Sequence, residues 1–207
     1  MARAGQSHWD AAYENKGTAG VSWYEPRPVE SFALIRAAGI RPADPIIDVG
    51  AGASLLVDEL LAAGYCDLTV LDFSAFALDR LRDRLGSAAS AVSLVHQDVT
   101  VFQPERKYAL WHDRAVFHFL TQSEDRERYV NALRQGMRPG GHVVMATFGP
   151  AGPERCSGLP TMRYDAAALA AELGSEFKLA KSSLVMHRTP SNAQQQFLYC
   201  SFRKHGD

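Results

Sequence analysis

The order of elements along this chain predicts an α/β domain with a doubly wound, mostly parallel sheet ending in an antiparallel hairpin. Three observations carry that expectation. Short apolar runs alternate with amphipathic helical stretches through most of the sequence. The run Ile46–Val49 passes straight into Gly50-Ala51-Gly52 and then into a helical period. Near the end, two strand-like runs, Phe177 to His187 and Gln195 to Lys204, flank the turn formers Thr189-Pro190-Ser191-Asn192.

Composition sets the frame. With 207 residues, 46% hydrophobic, the chain is long enough for one domain with a sizeable core. Residues 1–207 are read as that single domain, with 1–40 as N-terminal helices and lid and 41–207 as the core. A net charge of −1 provides no basic field, so no nucleic-acid partner is expected. Cys66, Cys156 and Cys200 show no C-x-x-C spacing and read as reduced thiols; no metal site is expected. No run is long enough to span a membrane, and Met1 to Asp10 lacks an apolar centre, so the expected location is cytoplasmic.

In order, a short helix is expected over residues 7–15, capped by Ser7, with Trp9 and Tyr13 one turn apart. Lys16 to Gly20 is turn-rich. Val21-Ser22-Trp23-Tyr24-Glu25-Pro26-Arg27-Pro28 follows, where two prolines exclude a helix. Either this is a strap packed over the core, or Trp23 and Tyr24 form a lid. A second helix runs from Val29 to Ala38, stopped by Gly39. After strand Ile46–Val49, a helix opens at or near Ser54, with Leu56, Val57, Leu60 and Leu61 on its apolar side. Leu68–Asp72 is a second buried strand, and Ser74 caps a helix with Leu78, Leu81 and Leu85 on one face. Ala91–His96 and Tyr108–His112 are the third and fourth strands. A helix capped by Ser123 is expected to end at Pro139, with Arg138-Pro139-Gly140-Gly141 turning into strand His142–Phe148. Gly149–Tyr164 is a long Gly/Pro-rich loop, and Asp165 caps the last helix.

The glycine turn carries the chemistry. A strand, a glycine turn and a helix start together expose backbone N–H groups to a ligand. A dinucleotide fingerprint needs a third glycine for close helix packing, but Leu55 stands there. Asp48, two residues before Gly50, opposes a pyrophosphate and favours a cationic ligand. Asp72, about 20 residues past Gly52, falls at the interval where a βαβ unit returns a carboxylate to a ribose. Ligands in such folds bind beyond the strand C-termini, which puts His112, Asp113 and Arg114 at the pocket mouth.

Asp48-Val49-Gly50-Ala51-Gly52-Ala53-Ser54 resembles motif I of the class I S-adenosylmethionine (SAM) methyltransferases, with Ser54 where that family usually has a third glycine. The R-P-G-G turn before an apolar strand is similar to the family at the same place. The pieces H-W-D-x-x-Y, S-W-Y and H-D-R-A-V-F-H-F-L resemble small bacterial methyltransferases and, loosely, protein-lysine methyltransferases. The resemblance covers essentially the whole chain and implies a Rossmann-like seven-stranded sheet, SAM as methyl donor and S-adenosylhomocysteine (SAH) as product. It implies a cofactor site of Trp23, Asp48, Gly50, Ala51, Gly52, Asp72, Phe73, Asp98, Val99, His112 and Asp113, with Asp98 at the adenine amino group. His112 and His118 are the expected bases. Tyr24, Arg27, Arg114 and Arg155 are expected on the acceptor side, where Lys16–Pro28 and Gly149–Tyr164 meet. The acceptor is expected to be a small molecule. A protein lysine side chain, and a non-catalytic SAM- or nucleotide-binding module, remain as alternatives.

Overall fold

The protein is described by a computed structural model over residues 5–206; Met1 to Ala4 of the N-terminal stretch and Asp207 lie outside the described residues. Strands β1 (Ile46–Val49), β2 (Leu68–Asp72), β3 (Val92–His96), β4 (Tyr108–Arg114) and β5 (Met137–Phe148) alternate with helices except between β3 and β4, which a loop connects. The helices are α1 (Gln6–Gly20), α2 (Val29–Ala37), α3 (Leu56–Ala62), α4 (Ala75–Leu85) and α5 (Ser123–Gly136). Then come the two-residue strands β6 (Arg155–Cys156) and β7 (Leu159–Pro160), helix α6 (Ala166–Leu173), and the hairpin β8 (Phe177–Arg188) and β9 (Gln194–Lys204). The seven-stranded sheet has the order β3-β2-β1-β4-β5-β9-β8, while β6 and β7 pair separately. β1 through β5 are mutually parallel; β9 runs antiparallel to both β5 and β8. The expected doubly wound sheet with its antiparallel end is therefore the observed one.

Period-two alternation builds both faces. Ile46, Leu68, Val70, Leu110 and Val144 pack with Ile35 of α2, Leu56 and Leu60 of α3, and Leu78 and Leu81 of α4. Their strand neighbours Ile47, Leu71, Trp111 and Val143 pack with Tyr129 and Leu133 of α5 and Leu169 of α6. A sheet covered on both sides buries every β1 residue, which is why those strands read as unbroken apolar runs. Strand order reverses between β1 and β4, so a crevice opens beyond their C-terminal ends.

Several boundaries differ from expectation for local reasons. α1 is capped by Gly5 rather than Ser7 and continues to Gly20 across a break at Gly17, whose φ of 64° is left-handed. α3 starts at Leu56, two residues past Ser54, whose hydroxyl accepts from the Leu56 N–H. Arg84 of α4 holds the turn before it, donating to the Ala53 and Ser54 carbonyls and pairing with Asp58. β4 extends to Arg114, two residues beyond the expected end. α5 stops at Gly136, so Arg138-Pro139-Gly140-Gly141 sits inside β5 as an irregularity between the Tyr108–Met137 and Leu110–His142 partners. Among the described residues, no helix is long and apolar enough to cross a membrane.

Candidate functional site

A cavity of about 310 Å³ occupies the crevice beyond β1 and β4, at the lower end of the usual ligand-pocket range of about 300–1,000 Å³. Its walls include Gly50, Asp72, Phe73, Asp98 and Val99 from the ends of β1, β2 and β3, and Arg114 from β4. Trp9, Tyr13 and Trp23 close it from the N-terminal side, Phe119 to Gln122 from the region between β4 and α5, Asp125 from the first turn of α5, and Arg155 and Gly158 to Pro160 from the small hairpin.

The glycine turn works by making room. Gly50 and Gly52 have φ of +63° and +54°, a region that side chains other than glycine rarely adopt. A Cβ on Gly50 would lie 1.9 Å from Val116 Cγ2, and one on Gly52 1.9 Å from the Tyr13 hydroxyl. Val116 and Tyr13 both line the cavity, so the glycines bring cavity walls onto the turn. The space in front of Gly52, expected for a ligand, belongs to Tyr13.

Asp72 is buried, 8% exposed, and steadies this arrangement: Oδ2 accepts from Gly52 N at 2.6 Å and Oδ1 from Ser74 N at 2.7 Å. The Phe73 N–H adds a third bond to this carboxylate, which leaves one lone pair open. Burial pushes its pKa up to about 6, against the pull of those N–H bonds. Asp98 accepts from the Thr100 N–H and hydroxyl, and Val99 is buried beside it.

Other expected site residues sit elsewhere. Asp113 is fully buried and off the cavity wall, accepting from Val116 N, Phe117 N and the Tyr129 hydroxyl. It anchors the turn that presents Arg114 and Val116; burial raises its pKa to about 6. Asp48 and Ala51 line a smaller adjoining cavity of about 40 Å³, together with Tyr24, Ser31 and His112. There Asp48 Oδ1 lies 2.6 Å from His112 Nδ1, and His112 Nε2 lies 2.8 Å from Ser31 Oγ. Both nitrogens of His112 are thus engaged. His118 is fully buried in the core, stacked 4.3 Å from Phe148, and its Nδ1 accepts from Phe148 N. Burial, then the charge of Arg114, lowers its pKa to about 3. Neither histidine lines the larger cavity, though His112 lines the smaller one beside it. Arg27 is exposed and lines neither cavity.

The two loop segments do meet. Trp23 Nε1 donates to the Tyr13 hydroxyl at 3.1 Å, and Trp9 packs edge-on against Trp23 and Phe119. Ser22 Oγ lies 3.6 Å from Cys156 Sγ, joining the α1–α2 connection to β6. Arg114 ties this connection to the hairpin: it pairs with Glu25 at 2.9 Å and donates to Trp23 O and the Tyr199 hydroxyl. His187 of β8 donates to Ser22 O. Arg84, Ser31 and the Phe119–Gln122 wall were not singled out from sequence. Only the partner lying far along the chain reveals the first two, whereas Phe119-Leu120-Thr121-Gln122 directly before an acidic helix start is a signal that was available.

Residues 46–141 match the family model described as a methyltransferase domain. That segment is thus similar to a methyltransferase domain. The N-methyltransferase NodS from Bradyrhizobium japonicum WM9, solved in complex with SAH, superposes with a TM-score of 0.73 at 18% identity, over 95% of this chain and 98% of that one. Nodulation protein S of Rhizobium tropici is 32% identical over 116 residues, 56% of this chain and 46% of that protein. EEF1A lysine methyltransferase 2 of Danio rerio is 26% identical over 157 residues, 69% of this chain and 67% of that protein. The chain spans only 17% to 21% of the eEF1A lysine and N-terminal methyltransferases that it also matches. The fold is therefore the Rossmann-like methyltransferase fold, and the glycine turn, Asp72 and Asp98 of this chain all fall within the matched methyltransferase domain.

Proposed function

We propose that this chain transfers a methyl group from SAM to a small-molecule acceptor and releases SAH. One observation carries the reading: the turn after β1, the acid ending β2 and the Asp98–Val99 pair after β3 face one cavity at the switch point of the sheet. These residues fit the donor. Asp72 has a lone pair left for a ribose hydroxyl, and Asp98 and Val99 suit the amino edge and plane of an adenine. Trp9, Tyr13 and Trp23 supply ring faces for a sulfonium. SAM brings an electrophilic methyl group when bound. The chain's own task is to align the acceptor and exclude water, which the joined lid segments favour.

The small acceptor is favoured by the number of walls around the cavity, which include Trp23, Arg155, Leu159 and Pro160 from the two lid segments. A lysine side chain is the second reading, supported by the likeness to EEF1A lysine methyltransferase 2. Calorimetry with SAH and mass spectrometry of products test both. Tight SAH binding with methylation of small acceptors is expected. Methylation of a folded protein substrate alone selects the second reading, and SAH binding without turnover of either kind selects a non-catalytic module.

A further inference from the structure

We propose that the acceptor is a small organic acid with an apolar body, methylated on its carboxylate oxygen; this deepens, and rests on, the methyltransferase reading. The walls of the larger cavity carry the argument. Among the described residues, no histidine, lysine or cysteine lines it. Its carboxylates have other tasks: Asp72 holds Gly52 N and Ser74 N and turns its remaining lone pair to the ribose of the donor, Asp98 holds Thr100, and Asp125 pairs with Arg128 at 3.3 Å. The Tyr13 phenol accepts from Trp23, and burial raises its pKa, so it stays protonated.

A nucleophile entering such a cavity must arrive with its lone pair free. An alkylamine with a pKa near 10.4 keeps its proton at neutral pH in all but about one molecule in a thousand. A thiol near 8.5 is only a few per cent ionised. A carboxylic acid near 4 is ionised almost completely. The acid is the acceptor class that needs no base.

Charge and surface agree. Arg114 is matched by Glu25. Arg155, at the hairpin rim, donates to Gly158 O and has no carboxylate partner among the described residues, so its charge faces an incoming anion. Trp9, Phe119, Leu120, Leu159 and Pro160 offer apolar surface to the rest of the molecule. In the step itself, a carboxylate oxygen forms a bond to the methyl carbon while the carbon–sulfur bond breaks. The electron pair of that bond goes to sulfur. A carboxylate and a sulfonium become a neutral ester and a neutral thioether, and no proton moves. A dry cavity favours a step in which opposite charges vanish.

The test offers phenylacetate, phenylmethanethiol and benzylamine to the purified protein with SAM. Methyl phenylacetate is expected, at a rate flat from about pH 7.5 to 9, above the range in which Asp72 titrates, because no proton is transferred. Arg155→Ala is expected to raise KM for phenylacetate about tenfold with little change in kcat, and Arg155→Lys to recover part of the loss. Calorimetric titration of phenylacetate into the SAH complex should weaken by a similar factor in Arg155→Ala, with SAH affinity unchanged. Methylation of the amine or thiol instead, absence of ester while SAH binds, or undiminished phenylacetate binding in Arg155→Ala overturns the proposal. Failure of the parent protein to bind SAH removes the methyltransferase reading itself, which separates the two failures.

Discussion

Single atoms decide the glycine turn. A methyl group on Gly50 would meet Val116 Cγ2 at 1.9 Å and sit on a left-handed φ. Strain of about 1–2 kcal/mol and overpacking of about 1–3 kcal/mol add, so Gly50→Ala is expected to destabilise by about 2–5 kcal/mol. Chemical denaturation measures this. Adding Val116→Ala should recover the packing share and leave the backbone share, whereas equal stability of both variants would mean that Val116 is not the obstacle. Asp72→Ala removes charge-assisted bonds and is expected to weaken SAH binding by about ten- to a hundredfold, or about 1.5–3 kcal/mol. Unchanged affinity in calorimetry would take Asp72 out of the donor site. Its interval from Gly52 was readable in sequence because one βαβ unit has a nearly constant length. The bond from Gly52 N to its carboxylate was not, since it depends on where the turn folds back.

Among the elements, α2 and the lid segments depend on distant partners. Ser31 of α2 reaches His112 of β4, which in turn holds Asp48 of β1. Ser31→Ala leaves a buried ring nitrogen without its partner, with an expected loss of about 1–3 kcal/mol. A melting temperature equal to the parent's would show that this bond contributes nothing to holding α2 on the sheet. Residues 16–28 and 149–164 touch through Ser22 and Cys156, so they are expected to move as one lid. Hydrogen exchange with and without SAH checks this: both segments should gain protection together, while protection confined to the glycine turn would mark them as fixed straps.

Across the whole molecule, buried titratable groups set the pH dependence. The folded pKa of His118 is lowered to about 3 from 6.5, so the unfolded chain binds a proton that the folded one refuses. Its contribution is full above pH 6.5 and falls as pH drops toward 3. Asp72 and Asp113 act oppositely. Raised to about 6 from 3.8, they favour the folded state fully below about pH 3.8 and lose that contribution as pH rises through 6. His118→Phe keeps the stacking on Phe148 but leaves Phe148 N unpaired, so at pH 7.5 it is expected to be about 1–3 kcal/mol less stable than the parent. At pH 4.5 that gap should shrink, because the parent alone carries the histidine penalty. Urea denaturation at the two pH values decides it, and a constant gap would remove His118 as the source of acid sensitivity.

Local pattern by itself determined the alternation of strands and helices, the position of β1 and β2 to the residue, the caps at Ser74 and Asp165, and the closing hairpin. These follow from periods of 2 and 3.6 and from side chains that bond their own neighbours, so nothing distant is needed. Local pattern also led to the methyltransferase resemblance, because the glycine turn and Asp72 lie within one βαβ unit. Only the tertiary structure decided which histidines face the cavity. His118, between Phe117 and Phe119, reads equally well as base or core; packing of β4 against β5 sends it into the core. It likewise decided that Arg155 reaches the cavity and Arg27 does not, and that Arg84 clasps the glycine turn. Each of these depends on chain segments more than twenty residues apart meeting in space, and local periodicity carries no record of such meetings.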